Sequence, residues 1–581
     1  MEHSFASYNV EIKNLKFINP EGFKFPGTAI VTFFDKSGRA LSTELLGAIN
    51  QKDVFEIISG GENLNFNNCY FKDFDLNAYR QQMGLKPKDY IKLEGFSAWG
   101  SFFDANKSTD FSYSDFGNGD VSFESSVFAR GDVNFHACRF GNGNTSFAGI
   151  TVREGDIDFS DSESGDGDFI FKNANLCRGK KDFQDIRFGN GEVTFANTEF
   201  SSGDILFINT RFGDGKFTFK VTRIDSGKID FHYSSFGNGD LVFERTEFGN
   251  SRVDFRAVDF GNGRINFNRS VFGICDINFE GASFRGQRFF FKRAAIKAGK
   301  KDFSLMEMPD AEICFEKTDF GTGAISFNSV NCNTLSLKSC HLDHYVDLRL
   351  GGATMLDLSD SIVRDIIDLE PYETASHSGT LNISGMRLLG KLYMDWTSNN
   401  CRMAIMKQEY TSLRQKAEQF RILKENFNVT GKYDDEDLAY IMFKRLEAKA
   451  NLHASRQNSS GLRYLGAYLS YGTRWLIFDA AGQYATNPVR VLFSMMVSYI
   501  FFSLIYLFQM AFTKADIIAS VDDKLSMVAK AFYHSAITFL TIGYGDHFPK
   551  GGIRWMSGIE GFLGLFLMSY FTVAFVRKIL R

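Results

Sequence analysis

From Phe111 to Phe327 every twelfth residue is phenylalanine, nineteen times without a miss. A looser ladder follows five residues behind, at Phe116, Phe128, Phe140, Phe188, Phe200, Phe212, Phe236, Phe248, Phe260, Phe272, Phe284 and Phe320. Val152, Leu176, Ile224, Ile296 and Met308 stand in elsewhere, and Ser164 is the polar exception. A short repeat cannot bury one or two inward side chains by itself, so successive repeats must stack and share a continuous core. Between the ladders lies a glycine-rich corner whose wording alternates. FGNGD at 116, FGNGN at 140, FGNGE at 188 and FGDGK at 212 form one series, with FARGD, VREGD, LCRGK and FSSGD between them. The structural unit is therefore 24 residues, taken in steps of five, seven, five and seven. Four short faces fit that division, and the longer steps supply corners where left-handed or otherwise glycine-tolerant backbone is needed.

The register resembles the pentapeptide-repeat family, in which a central Phe or Leu points into a four-sided β-helix; the enlarged corners depart from that family's five-residue step. The resemblance implies a right-handed, four-sided β-solenoid of about 24 residues per coil over residues 93–396, with the Leu-centred LDLSDSIV (356–363) and LNISGMRLLGKLYMDW (381–396) as further coils. Roughly twelve coils at ~4.8 Å each would make a rod of about 60 Å. Residues 1–92, with the strand-like TAIVTFF and the helix-like LNAYRQQM, are expected to cap its open end. The GNGD acids suggest calcium-binding β-helix repeats, but those need a nonapeptide step that is absent here.

Composition removes several function classes. Phe accounts for 64 of 581 residues and Pro for only 7, which suits a regular folded architecture. A net charge of -4, with no basic tract among the aromatics, gives no footprint for nucleic acid. The eight cysteines are scattered without a CxxC pair, and the chain starts without a basic-then-apolar leader. Both fit reduced thiols in a cytosolic domain. No nucleophile–base spacing or phosphate loop marks an enzyme, and no cofactor is expected.

After Trp396 the period changes. Met406, Tyr410, Leu413, Ala417, Phe420 and Phe427 follow steps near 3.6, and Leu438, Ile441, Met442, Phe443 and Leu446 resume them after Gly431. This predicts a helical hairpin connector over 397–460, whose acids Asp434 to Asp437 complement the second helix's N-terminal dipole. Residues 461–486, with Arg463, Arg474, Trp475 and several Tyr among apolar residues, are too polar to span and suit a membrane surface. A soluble helix packed on the hairpin is the alternative.

Asn487 and Pro488 form a helix start, and Val491 to Phe508 runs eighteen residues without a charge. Residues 487–581 thus read as a membrane domain with spans near 489–511 and 556–576. Arg490 at the start of the first span, and Arg577, Lys578 and Arg581 after the second, place both ends in the cytosol. Between the spans come a polar turret with Asp522 and Asp523, an amphipathic helix near 525–539, and TIGYGD at 541–546. Irregular backbone at membrane depth is tolerated only where it lines a cavity. Thr541, Ile542, Gly543 and Tyr544 can offer successive carbonyls to an axis if Gly543 and Gly545 permit an alternating backbone, and oxygen rings of this kind replace the water shell of a cation. One chain supplies one strand of such a ring, so four copies are required.

The hexapeptide Thr-Ile-Gly-Tyr-Gly-Asp, in the order helix, pore helix, filter, helix, resembles the two-transmembrane potassium channels, specifically bacterial ones fused to pentapeptide repeats. The resemblance implies a homotetramer in a prokaryotic plasma membrane, with K+ held at Thr541, Ile542, Gly543 and Tyr544. Tyr544 would pack against pore-helix aromatics such as Phe532 and Tyr533, and Asp546 would hold the outer mouth. Gly564 stands where such channels bend to gate. Ile537 and Leu540 replace the Glu and Thr of some relatives, so the bracing behind the filter is altered. Glu560 is an intramembrane acid and a candidate functional or hydrogen-bonding residue. With five residues after Val576, regulation by the rod is expected to arrive through the connector and the first span, and a cytosolic partner or ligand of the solenoid is left open. The competing reading is a membrane-tethered interaction scaffold whose pore module anchors and tetramerises the rods.

Overall fold

The structure, a computed structural model, describes residues 5–61, 64–371, 379–458, 462–520 and 524–580; Asp522, Asp523 and Arg581 lie outside them. The chain divides into two compact units, Met1–Gln408 and Glu409–Arg581.

The first unit is the solenoid. A coil carries up to four short strands, most of two residues, which pair in parallel with residues 24 positions on: Val121 with Thr145, Val127 with Thr151, Val133 with Ile157 and Arg139 with Glu163. One face runs through thirteen strands, from Phe96–Ser97 to Thr380–Asn382, and a bridge from Asn65 to Ser97 adds another coil, for about fourteen in all. Stacking therefore begins inside the segment expected to be cap alone. Near the end the register changes, with Ile325 pairing Val346 and Met355 pairing Thr380.

The twelve-residue ladder fills the axis. Residues 24 apart stack with their rings parallel and offset, as in Phe111–Phe135 (4.8 Å, 3°), Phe123–Phe147 (5.2 Å, 0°) and Phe243–Phe267 (4.5 Å, 2°). Neighbours in the ladder meet edge to face, as in Phe111–Phe123 (5.1 Å, 81°), so two columns interlock in the arrangements aromatic quadrupoles favour. Two residues after each ladder position the backbone is left-handed, at Asn197, Asn209, Val221, Tyr233 and Arg245 among others. These turns are mostly not glycine, so the sequence did not mark them. Three residues after the ladder a buried hydroxyl donates to a ladder carbonyl of the coil before, as Thr198 Oγ1 does to Phe171 O and Thr210 Oγ1 to Phe183 O, both at 2.6 Å. Cys138 and Cys340 take this place with their thiols, on Phe111 O (3.1 Å) and Phe315 O (2.9 Å), which explains two of the scattered cysteines as core donors.

The glycine corners have two causes. Gly203 has φ of 100°, but Gly215 lacks a positive φ and is needed because a Cβ would lie 1.8 Å from the Gly191 carbonyl oxygen one coil away. The corner acids and amides form their own ladder. Asp166 Oδ1 accepts from Asn190 N (2.9 Å), Asn190 Oδ1 from Asp214 N (3.0 Å), and Asp214 Oδ1 from Asn238 N (2.9 Å). These side chains thus satisfy backbone amides of the next coil, which accounts for the GNGD wording without a metal.

Lys181 and Lys301 break the pattern. Each replaces an inward aliphatic residue, Lys181 between Ile157 and Ile205 and Lys301 between Ile277 and Ile325. The buried Lys181 ammonium donates to the carbonyls of Cys177 (2.6 Å), Gly179 (2.8 Å) and Ser202 (2.7 Å), and burial lowers its pKa to about 8.

At the N-terminal end, antiparallel strands Ser7–Lys13, Gly27–Phe34 and Ala40–Ala48 close the rod, with Phe33 and Leu46 packed against Phe102 and Val127. Helices α1 (Gln51–Gly60) and α2 (Leu76–Gln82) accompany them, and α3 (Cys401–Met406) ends the unit.

The second unit begins with α4 (Leu413–Val429) and α5 (Tyr433–Asn458), packed together as a hairpin. The helical step read through Met406 and Tyr410 is interrupted. Ser412 starts a new helix by a reciprocal cap, its Oγ accepting from Gln415 N (3.2 Å) while Gln415 Oε1 accepts from Ser412 N (2.9 Å). Helix α6 (Leu462–Arg474) runs into a π-helical turn, Trp475–Ala480, followed by three left-handed residues, Gln483, Tyr484 and Ala485. Then come α7 (Pro488–Phe512), α8 (Met527–Phe539) and α9 (Ile553–Ile579). Helices α7 and α9, of mean hydropathy 2.2 and 1.8, are long and apolar enough to cross a membrane.

Candidate functional site

Helix α8 and the segment after it sit between the two long helices. Ser526 caps α8 through a bond from Ala529 N (3.2 Å), and Ala531 packs with Phe502, Tyr506 and Ile553 of α7 and α9. At its other end Ile537 O accepts from Ile542 N (2.9 Å), anchoring the first turn of TIGYGD to the helix.

From there the backbone alternates. Thr541, Gly543 and Gly545 have φ of 55°, 62° and 74°, while Ile542 and Tyr544 between them do not enter the left-handed region. Glycine at 543 and 545 allows these positive φ values without a steric cost. Thr541 is the one non-glycine residue of the three, and a β-branched side chain is strained there. In the single chain Tyr544 is 70 % exposed. On α8, Tyr533 has other partners: its OH donates to Asp546 Oδ2 (2.6 Å), and its ring meets His547 edge to face at 5.0 Å. Asp546 O in turn accepts from Ser520 N (2.8 Å), beside the antiparallel pair Asp516–Ala519 and His547–Lys550.

Glu560 is fully buried where three helices meet. Its carboxylate accepts from Tyr506 OH of α7 and from Ser535 Oγ of α8, both at 2.5 Å. Ser535 Oγ also reaches Tyr499 O (3.2 Å), and His534 Nε2 lies 2.9 Å from Ser557 Oγ of α9. A polar brace thus joins α8 to α7 and α9 and is built on Glu560 of α9 rather than on positions 537 and 540. Sequence reasoning missed its hydroxyl partners, because Tyr506 and Ser535 are unremarkable in apolar runs and nothing in their spacing points to Glu560.

Gly564 lies in the regular part of α9, against the last residue of α8; a Cβ there would fall 2.0 Å from Phe539 O. Near the end of α9, Arg577 Nη2 pairs with Asp437 Oδ1 (2.8 Å) and lies 3.5 Å from Glu436 Oε1. Lys578 Nζ pairs with Asp434 (2.8 Å) and Asp437 (3.0 Å), and the Arg577 guanidinium covers the Tyr440 ring at 4.8 Å. The acids read as helix-dipole partners of α5 therefore also hold the end of α9.

Residues 494–581 match a protein family described as ion channel. No curated protein and no solved structure matches the chain.

Proposed function

We propose that this chain, an ion-channel domain joined to a β-solenoid, forms a potassium-selective channel in which four copies set TIGYGD around one axis. The observation that carries the reading is the left-handed alternation at Thr541, Gly543 and Gly545, at the end of a pore helix held between two membrane-capable helices. Carbonyls of Thr541 to Tyr544 would coordinate dehydrated K+, and Asp546, held by Tyr533, would shape the outer mouth. The exposed faces of Ile542 and Tyr544 in a single chain suit contacts supplied by further copies. We place the pore in a prokaryotic plasma membrane with both termini cytoplasmic, from the basic residues at the ends of the spans. The solenoid then acts on the pore as a regulatory or tethering domain, open to a cytosolic partner or ligand, and the ion pairs from α5 to α9 support a regulatory route.

Purified full-length protein in liposomes tests the proposal. Potassium flux well above sodium flux is expected, and Gly543→Ala, which adds a Cβ at a left-handed position, should abolish that preference. A mutant with unchanged selectivity, or wild-type vesicles that pass neither ion under any condition, would refute it.

A further inference from the structure

A cavity of about 370 Å³ opens between α5, the α6–π segment and the first turn of α7. Four cations line it, Arg445, Lys449, Arg474 and Arg490, against one carboxylate, Asp479. That carboxylate is already engaged: Asp479 is buried and Arg445 grips it through two bonds of 2.8 Å. Arg490 spends its Nε on Ala480 O (3.0 Å). Among the described residues no carboxylate pairs with Lys449, Arg474 or Arg490, so three positive charges share one concavity without compensation. Tyr471, Trp475 and Tyr484 complete the walls.

We propose that this cavity is a binding site for a phosphate-bearing anion. Like charges held together repel, and the arrangement is stabilised when an anion enters and takes charge-assisted bonds from two or three of them. Arginine's planar fork suits phosphate oxygens, and the aromatic walls suit the ester portion of a ligand whose charged end is buried. The volume lies at the low end of small-molecule pockets, matching a headgroup-sized phosphate ester. Arg490 sits in the first turn of α7, so the opening lies where a membrane-crossing helix begins and where anionic headgroups are dense. A lipid headgroup and a soluble phosphate share this chemistry. Either would tie the hairpin, the π-helical segment and the outer helix together. The site rests on α7 as a membrane helix and not on potassium selectivity.

The test uses the full-length protein in phosphatidylcholine nanodiscs, titrated calorimetrically with dihexanoyl phosphatidic acid and, separately, with inorganic phosphate. Saturable binding of one ligand per chain is expected for at least one probe, weakened tenfold or more in Lys449→Gln/Arg474→Gln and retained in Arg474→Lys. Both substituted side chains are exposed, and an unchanged melting profile of the variant shows that its fold is intact. Binding of the lipid without competition by phosphate assigns a headgroup, and binding of inorganic phosphate assigns a soluble ligand. Equal binding by wild type and the double variant, or saturable binding of neither probe, would overturn the proposal. Because the readout is binding, failure of conduction would leave it standing.

Discussion

Replacing Gly564 with alanine separates two roles for an inner-helix glycine. In an unobstructed helix the change stabilises by about 1 kcal/mol, because glycine loses more backbone entropy. Here the new Cβ would lie 2.0 Å from Phe539 O, 2.9 Å from its carbonyl carbon and 3.1 Å from its Cα, all backbone atoms that cannot swing aside. Relief requires the end of α8 to retreat by about an ångström, an overpacking cost of ~1–3 kcal/mol that outweighs the helix gain. The retreat would carry Ile537 O, which accepts from Ile542 N, so the strain is delivered to TIGYGD. Gly558, with nothing within 4 Å of its added Cβ, and Gly561, whose nearest atom is 3.9 Å away, are the controls on the same helix. Thermal unfolding in detergent and paired potassium and sodium flux in liposomes read both effects. Gly564→Ala should melt several degrees below wild type and lose potassium preference, while the two controls melt at or above it. If Gly564→Ala melts with the controls and alters only opening, with selectivity intact, the residue is a bend and the close packing argued here is wrong.

Phe243→Ala should destabilise the solenoid by ~3–5 kcal/mol, since Phe243 is fully buried and stacks on Phe219 (5.7 Å) and Phe267 (4.5 Å); denaturant unfolding that leaves the solenoid transition unmoved would contradict the core assignment. For Lys181 the folded pKa of about 8 lies below the ordinary 10.5, so between these values the unfolded chain holds the extra proton and solenoid stability rises with pH, the penalty persisting in full below about pH 8. Lys301, its pKa lowered by burial to about 8 as well, contributes the same rise, so Lys181→Met should roughly halve it, and melting curves at pH 7, 8.5 and 10 with an unaltered slope would show that the Lys181 amine is not held in this environment. Asp437→Asn removes the partner that Arg577 and Lys578 share, and because Asp437 is buried the open–closed balance should move roughly tenfold. Asp437→Glu, which keeps the shared carboxylate, should shift it less; single-channel records identical for wild type and Asp437→Asn would remove the ion pairs from the regulatory route.

The solenoid was legible because its core is written as period. An inward Phe at every twelfth position needs no tertiary information, and the 24-residue wording of the corners announces which residues stack. What the period hid was the reason for each corner. Left-handed turns at Val221 or Arg245 carry no glycine, and glycine at Gly215 is set by a carbonyl a whole coil away. The hexapeptide at 541–546 stood out through its own spacing, while the brace behind it depends on Glu560 meeting Tyr506 and Ser535, 54 and 25 residues distant, which only packing brings together. Ser412 with Gln415 was a readable cap that the run of apolar steps through Tyr410 obscured.

The contacts of the connector do not follow the order of segments along the chain. Along the chain the hairpin leads to the first span, and the inner helix comes last. In space α9 meets the connector directly, through Arg577 and Lys578 on α5 and through Tyr570, whose hydroxyl donates to Phe478 O (2.9 Å) and accepts from Ala485 N (2.8 Å). Those two bonds clasp the turn in which Gln483, Tyr484 and Ala485 are all left-handed, a conformation that costs ~1–2 kcal/mol per residue and persists only when its surroundings hold it. A strained turn held by a side chain of the inner helix has a stored tendency to relax, and relaxation would move the start of α7 and free Tyr570 together. Ion pairs join α5 to α9, and Tyr570 joins α9 to the turn before α7, so contacts from the connector lead to both long helices.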